Sequence, residues 1–263
     1  MAGEQFGQWG LIVGGSDGIG LAFAHELAQR GVNLLLIARR ADRLTKAANE
    51  IAENYPGITV CSLALDMEDE HSIDRIVEET SSLEIGTFIY NAGAETDYRP
   101  FVEDEWNRIA GRMQRNVIAQ TRLLHHFGRA MCARERGSII TMGSISGSLG
   151  SPGFAFYGAT KAFIHNLSEA LWFEFKQCGV RLLCPIIGPT ATPAMHDAFG
   201  PLENAADPAH IARGAMDRLG EGPFWIVDDV AQAIADFSAM NPADRATLGA
   251  AMMRDFVDKS AGG

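Results

Sequence analysis

The stretch Trp9-Gly10-Leu11-Ile12-Val13-Gly14-Gly15-Ser16-Asp17-Gly18-Ile19-Gly20 decides how the rest of the chain is read. Its opening residues form an apolar run, glycines crowd the second half, and Ile19, Phe23 and Leu27 then recur at helical spacing before Gly31, a suitable C-cap. The pattern predicts strand, glycine turn, helix. Gly14, Gly18 and Gly20 let the backbone bend tightly and approach an anion, while a helix N-terminus offers N–H groups to a pyrophosphate. The spacing is Gly-x-x-x-Gly-x-Gly rather than Gly-x-Gly-x-x-Gly, so the glycines alone are equally consistent with a left-handed turn that binds nothing.

Working outward, apolar and amphipathic segments alternate. An apolar strand over 32–38 precedes a helix through Leu44, Ala47, Ala48 and Ile51; a strand near 58–65 precedes a short acidic helix around 69–80. A further apolar run over 87–90 ends at Asn91-Ala92-Gly93, followed by a long helical tract over 103–134, a strand before Ser144, a helix carrying Tyr157 and a strand over 180–187. This alternation predicts an α/β fold, a three-layer doubly wound parallel sheet of Rossmann-like type, with 1–263 as a single domain. Ligands of such sheets bind beyond the carboxyl ends of the strands, and Gly14, Arg39, Asp66, Asn91, Ser144 and Gly188 all fall there.

Composition narrows the function. The 263 residues carry a formal net charge of -11, which argues against a sequence-independent grip on nucleic acid, although local amides and arginines can still hold one anionic cofactor. The N-terminus lacks a basic and apolar leader pattern and no apolar stretch approaches membrane-spanning length, so a cytoplasmic protein away from the membrane is expected. Cys61, Cys132, Cys178 and Cys184 show no Cys-x-x-Cys pairing, and the histidines form no His-Glu-x-x-His; idle thiols and no metal are expected.

Tyr157 and Lys161 stand in Tyr-x-x-x-Lys spacing, which puts them on one helical face a turn apart. A neighbouring ammonium favours ionisation of a phenol and brings it toward the range where it trades a proton with an alcohol or carbonyl oxygen. Ser144 lies upstream, after the run Ser138-Ile139-Ile140-Thr141-Met142-Gly143. Taken singly, each has a plain structural reading: a snorkelling tyrosine, a strand-end serine, a helix-surface Asn116.

Together, the segment 14–20, Asn91-Ala92-Gly93, Asn116, Ser144, Tyr157 and Lys161 resemble the short-chain dehydrogenase/reductase family, over about 9–192. The resemblance implies an oxidoreductase that moves hydride between a nicotinamide and a ketone, aldehyde or alcohol. Tyr157 would act as general acid in reduction and general base in oxidation, Lys161 would lower its pKa and bind the nicotinamide ribose, Ser144 would polarise the substrate oxygen, and Asn116 would hold a water. The cofactor would meet Gly14, Ser16, Asp17, Gly18, Ile19, Gly20, Asp66, Met67, Asn91, Ala92, Gly93, Gly188, Thr190 and Thr192. Where members preferring NAD carry an acid, this chain has Ala38 followed by Arg39 and Arg40, so NADP(H) is favoured. Asp17, standing where a basic residue often accompanies that preference, leaves NAD(H) open.

The segment 189–208 is the expected substrate lid, with Met195, Phe199 and Phe154 offering apolar walls beside Ser144 and Tyr157 for an apolar ketone or alcohol. Leu123, Leu124, Phe127, Leu167, Leu171, Phe173 and Phe175 give the helices around Asn116 and Tyr157 apolar surface for a homodimer or homotetramer, with core packing as the competing explanation. The tail over 228–263 reads as helical. A non-catalytic NADP(H)-binding sensor or partner protein on the same fold is the competing function, because fold does not settle chemistry. An epimerase or dehydratase with the same Tyr-x-x-x-Lys pair would normally carry a longer substrate domain.

Overall fold

The computed structural model describes residues 4–202 and 205–261. In chain order the strands are β1 Trp9–Val13, β2 Asn33–Ala38, β3 Val60–Ala64, β4 Ile85–Tyr90, β5 Gly137–Thr141, β6 Gly143–Ser144, β7 Val180–Ile187 and β8 Phe224–Ile226. They lie in the order β3-β2-β1-β4-β5-β7, with β6 and β8 both paired to β7, and every pairing is parallel. The order reverses between β1 and β4, which opens a crevice at their carboxyl ends.

The helices are α1 Gly18–Gln29, α2 Ala41–Asn54, α3 His71–Glu79, α4 Trp106–Met113, α5 Gln120–Ala133, α6 Ala155–Gln177, α7 Pro193–Phe199, α8 Pro208–Asp217, α9 Asp228–Ala239 and α10 Pro242–Ala261. Because successive strand side chains face opposite ways, the sheet feeds two separate apolar layers. Ile12, Leu34 and Leu36 pack with Phe23 and Leu27 of α1, Leu44 and Ile51 of α2, and Ile211 of α8. Leu11, Val13, Leu35 and Ile37 pack on the other face with Ile73 of α3, Leu123 and Phe127 of α5, and Ile164 of α6. Helices therefore cover both faces, in the three-layer Rossmann-like α/β fold expected. Phe23 and Leu27 are fully buried, and each such side chain contributes about 1.5–3 kcal/mol by leaving water. Gly31 ends α1 as expected, at φ +78°, the left-handed region that favours glycine.

Four local features differ from the sequence expectation. The tract expected as one helix is α4 and α5 joined by a π-helical segment, Gln114–Ala119, with Asn116 inside it. The strand before Ser144 breaks after Thr141, so Ser144 lies in β6 instead of at the end of β5. The expected lid contains a helix, α7, begun by Pro193 and capped by Thr192, whose side chain accepts the Met195 N–H; its residues 203–204 lie outside those described. β8 is only Phe224-Trp225-Ile226, too short for periodicity to announce. The tail forms α9 and α10, and α10 packs against α7 and the Leu149–Gly150 turn. Among the described residues no helix is long and apolar enough to cross a membrane.

Candidate active site

The glycine turn sits at the switch point between β1 and β4. Gly14 has φ +86°, its amide and that of Gly15 bond to Ile37 O at 2.7 and 3.1 Å, and a Cβ at Gly14 would lie 2.9 Å from Ala92 N. Asn91 Nδ2 donates to Gly14 O at 3.1 Å and ties the end of β4 to the turn. Asp17 caps α1 by accepting from Gly18 N at 2.8 Å, while its other oxygen meets Arg43 at 3.0 Å and Arg40 at 3.8 Å.

A cleft of about 590 Å³ runs from here across the strand ends. Gly14, Ser16, Arg39, Arg40, Asp66, Met67, Ala92 and Gly93, all expected cofactor residues, form its walls, together with Arg115 and Glu95, which sequence reasoning did not single out. Asp66 accepts from Glu68 N at 3.0 Å and faces Arg39 at 3.7 Å. The remaining expected contacts sit behind or beside the walls. Ile19 and Gly20 occupy the first turn of α1. Gly18 faces Thr192, and Thr190 is buried with its hydroxyl on Gly188 O at 3.2 Å.

On the other side of the crevice α6 carries Tyr157 and Lys161, with the ammonium 5.5 Å from the centroid of the phenol ring. Sequence reasoning has the cation holding the phenol down. The structure differs: burial pushes Tyr157 up to about 12, the Glu95 carboxylate adds to the rise, and a hydrogen bond with Ser144 and the Arg115 charge oppose it. Burial also lowers Lys161 to about 8, and its Nζ donates to Met142 O at 2.9 Å. Tyr157 is therefore a neutral phenol here.

Asn116 is buried, not on a helix surface. Its Nδ2 donates to Thr160 Oγ1 at 3.2 Å and its Oδ1 accepts from Arg115 Nε at 2.9 Å. Arg115 is in turn held by Glu68 at 2.7 Å. The π-helical turn brings these groups round to α6, and such turns recur at functional sites. Ser144 Oγ accepts from Ser146 N at 3.2 Å.

Phe154 packs edge-on against Tyr157, with ring centroids 6.3 Å apart, so the expected apolar wall stands beside the phenol. Phe199 turns inward and is buried; neither it nor Met195 lines the cleft, where Ala194 represents α7. Next to Phe154 the loop after β4 brings Glu95 within 2.7 Å of Arg112, and Arg112 also pairs with Asp104. This ion-paired cluster is legible only in three dimensions, because its members come from a loop and a helix. Arg115 was the easier miss, since it adjoins Asn116 in sequence.

A parallel sheet, a glycine turn beside a nucleotide-sized cleft, and Tyr157 in an adjoining pocket that shares Glu95 and Arg112 with that cleft are the arrangement of a nucleotide-dependent enzyme. Residues 8–201 match the short chain dehydrogenase family model, and the chain belongs to that family of oxidoreductases, whose members bind nicotinamide cofactors. It is similar to a 7beta-hydroxysteroid dehydrogenase of Collinsella aerofaciens, 29% identical over 225 residues, covering 83% of this chain and 85% of that one. A very-long-chain 3-oxoacyl-CoA reductase of Mus musculus is 33% identical over 183 residues, which span 68% of this chain and 58% of the relative. Among solved structures, one of a 7beta-hydroxysteroid dehydrogenase matches with TM-score 0.87, 25% identity and 99% coverage of both chains. A short-chain dehydrogenase from Sphingobium yanoikuyae in complex with NADPH matches with TM-score 0.77 and 26% identity, covering 89% of this chain and 97% of that one. The residues present fit a dinucleotide: a cleft lined by Gly14 and Ser16 of the glycine turn, a helix N-terminus, and arginines at the end of β2.

Proposed function

We propose that the protein is an NADP(H)-dependent oxidoreductase that interconverts a ketone or aldehyde with an alcohol, with Tyr157 as the proton donor and acceptor. The observation that carries this reading is the placement of Tyr157 on α6, with the Lys161 ammonium 5.5 Å from its ring and Phe154 edge-on to it, in a pocket that shares Glu95 and Arg112 with the nucleotide-sized cleft. A neutral phenol is an acid, which suits reduction: it can protonate the oxygen as negative charge develops there, while Ser144 donates to the same atom. The bound nicotinamide would supply the hydride. Gly14, Ser16, Ile19 and Gly20 would hold the pyrophosphate, Asp66 and Met67 the adenine, Ala92 and Gly93 the ribose side, and Gly188, Thr190 and Thr192 the nicotinamide side. Lys161 would exchange its bond to Met142 O for one to the nicotinamide ribose, and Asn116 would hold a water behind it.

Preference for NADP(H) is supported by Arg39 and Arg40 on the cleft wall with no acid at Ala38. Asp17 no longer opposes it, since Arg40 and Arg43 neutralise its carboxylate. Phe154, the ion-paired Glu95–Arg112–Asp104–Arg108 cluster and the full-length likeness to a hydroxysteroid dehydrogenase all favour a bulky, largely apolar secondary alcohol or ketone. Met113, Ile118, Phe163 and Phe173 are exposed on α4, the π segment and α6, apolar surface suited to a homodimer or homotetramer. By contrast, Leu123, Leu124 and Phe127 are spent on the core.

The test is consumption of NADPH and of NADH, in parallel, against aliphatic, aromatic, cyclic and steroidal ketones. Turnover is expected with NADPH and a bulky ketone, and Tyr157→Phe is expected to reduce it by roughly 100- to 10,000-fold while still binding NADPH. A Tyr157→Phe enzyme that turns over normally would remove the assigned role.

A further inference from the structure

The strand that leads to Ser144 is interrupted, and two backbone groups flanking the break are taken up by α6. β5 ends at Thr141 and the chain resumes as β6 at Gly143. Met142 O, on one side, accepts from Lys161 Nζ at 2.9 Å. Ser144 N–H, on the other, is accepted by His165 Nε2 at 3.2 Å. A donor and an acceptor from successive turns of one helix thus clamp the Ser144 segment to the element that carries Tyr157, because residues four apart share a helical face.

The turn is shaped around the imidazole. A Cβ at Gly143 would lie 2.8 Å from His165 Nε2, and one at Gly147 would lie 2.6 Å from His165 Cε1, so side chains before and after Ser144 would displace the ring. Phe224 of β8 meets the ring edge-on with centroids 6.0 Å apart. Burial and the Lys161 charge pull His165 down to about 4, so the ring is neutral and its Nε2 is free to accept once the proton sits on Nδ1. Lys161 has a second expected duty at the cofactor; His165 has none, and its hold on Ser144 does not compete with binding.

We propose that His165 is a positioning residue: by accepting the Ser144 N–H it fixes the serine hydroxyl relative to the Tyr157 phenol, so that both address one substrate oxygen. The inference rests on the reaction assigned above and adds to it a residue that touches neither substrate nor cofactor. His165→Phe keeps the ring volume and removes the acceptor, whereas His165→Gln keeps a side-chain acceptor. The Phe variant is expected to lose roughly tenfold or more in kcat for the ketone, with the NADPH dissociation constant near wild type and the melting temperature lowered by roughly 2–10 °C, since a buried amide is left unpaired. The Gln variant is expected to recover most of that loss. Wild-type kcat in His165→Phe would overturn the proposal, as would equal losses in both variants accompanied by weakened NADPH binding, which would mark a general structural role.

A second measurement needs no turnover. ¹⁵N NMR of the wild-type protein at neutral pH is expected to show His165 protonated on Nδ1, with through-bond coupling between Nε2 and the Ser144 amide. A proton on Nε2 would overturn the proposal whatever the kinetics. If no ketone were reduced by wild type but the coupling were present, the assigned reaction would fail and His165's role in it with it, while the contact itself would stand.

Discussion

At the scale of single residues, the proposed reaction turns on the protonation state of Tyr157. A phenol held up to about 12 stays neutral across the neutral range and, in the proposed reaction, would serve as the acid for carbonyl reduction. Lys161, lowered to about 8, loses its charge above that value. Since kcat/KM reports the free enzyme, its profile for reduction is expected to stay level through neutrality and to fall as pH rises past about 8. A profile that stayed level past about pH 10 would show that the reaction does not need the Lys161 ammonium. Arg39 acts at the other end of the cleft. It is largely exposed, so its charge is screened, and Arg39→Ala is expected to raise the KM for NADPH by roughly tenfold while leaving NADH unchanged. Equal effects on both cofactors would argue against a 2′-phosphate contact.

At the scale of elements, the join of β1 to α1 was legible because its chemistry is local. An apolar run, a glycine cluster and a helical stripe with Gly31 behind it all lie within one βα unit. What the unit packs against was not legible. A Cβ at Gly20 would overlap Gly14 O and approach Asn91 Nδ2 to 2.8 Å. Gly20→Ala is therefore expected to cost about 1–3 kcal/mol in urea unfolding and to abolish tight NADPH binding, as α1 is pushed off the turn. An alanine variant of wild-type stability that still bound the cofactor would contradict that packing. The π-helical segment at Asn116 shows the opposite limit. Its sequence, Gln114-Arg115-Asn116-Val117, carries no helix breaker, so periodicity reads straight through it. The extra residue in the turn is tied to contacts with Glu68, Thr160 and Gly93, which lie far away in sequence.

At the scale of the whole molecule, apolar surface is left over after both layers are filled. Phe173 is 62% exposed on α6, near enough in sequence to core residues that a helical stripe does not separate the two fates. Its substitution Phe173→Glu places a charge in the surface proposed for assembly, and light scattering is expected to show a smaller species than wild type with the fold retained. An unchanged mass would move the assembly surface elsewhere.

The sequence by itself determined the alternation of strands and helices, the strand ends that gather at one crevice, and the setting of Tyr157 and Lys161 one turn apart on a helix. These depend on periodicity and on spacing within one element, both written along the chain. Tertiary structure alone decided that desolvation raises the half-buried Tyr157 phenol, that Arg40 and Arg43 pair with Asp17, and that His165 receives the Ser144 amide where the strand breaks. Each of these turns on burial or on a partner brought from a distant segment. Desolvation and short-range hydrogen bonds depend on which groups share a small volume, a property of the folded chain that no local pattern encodes.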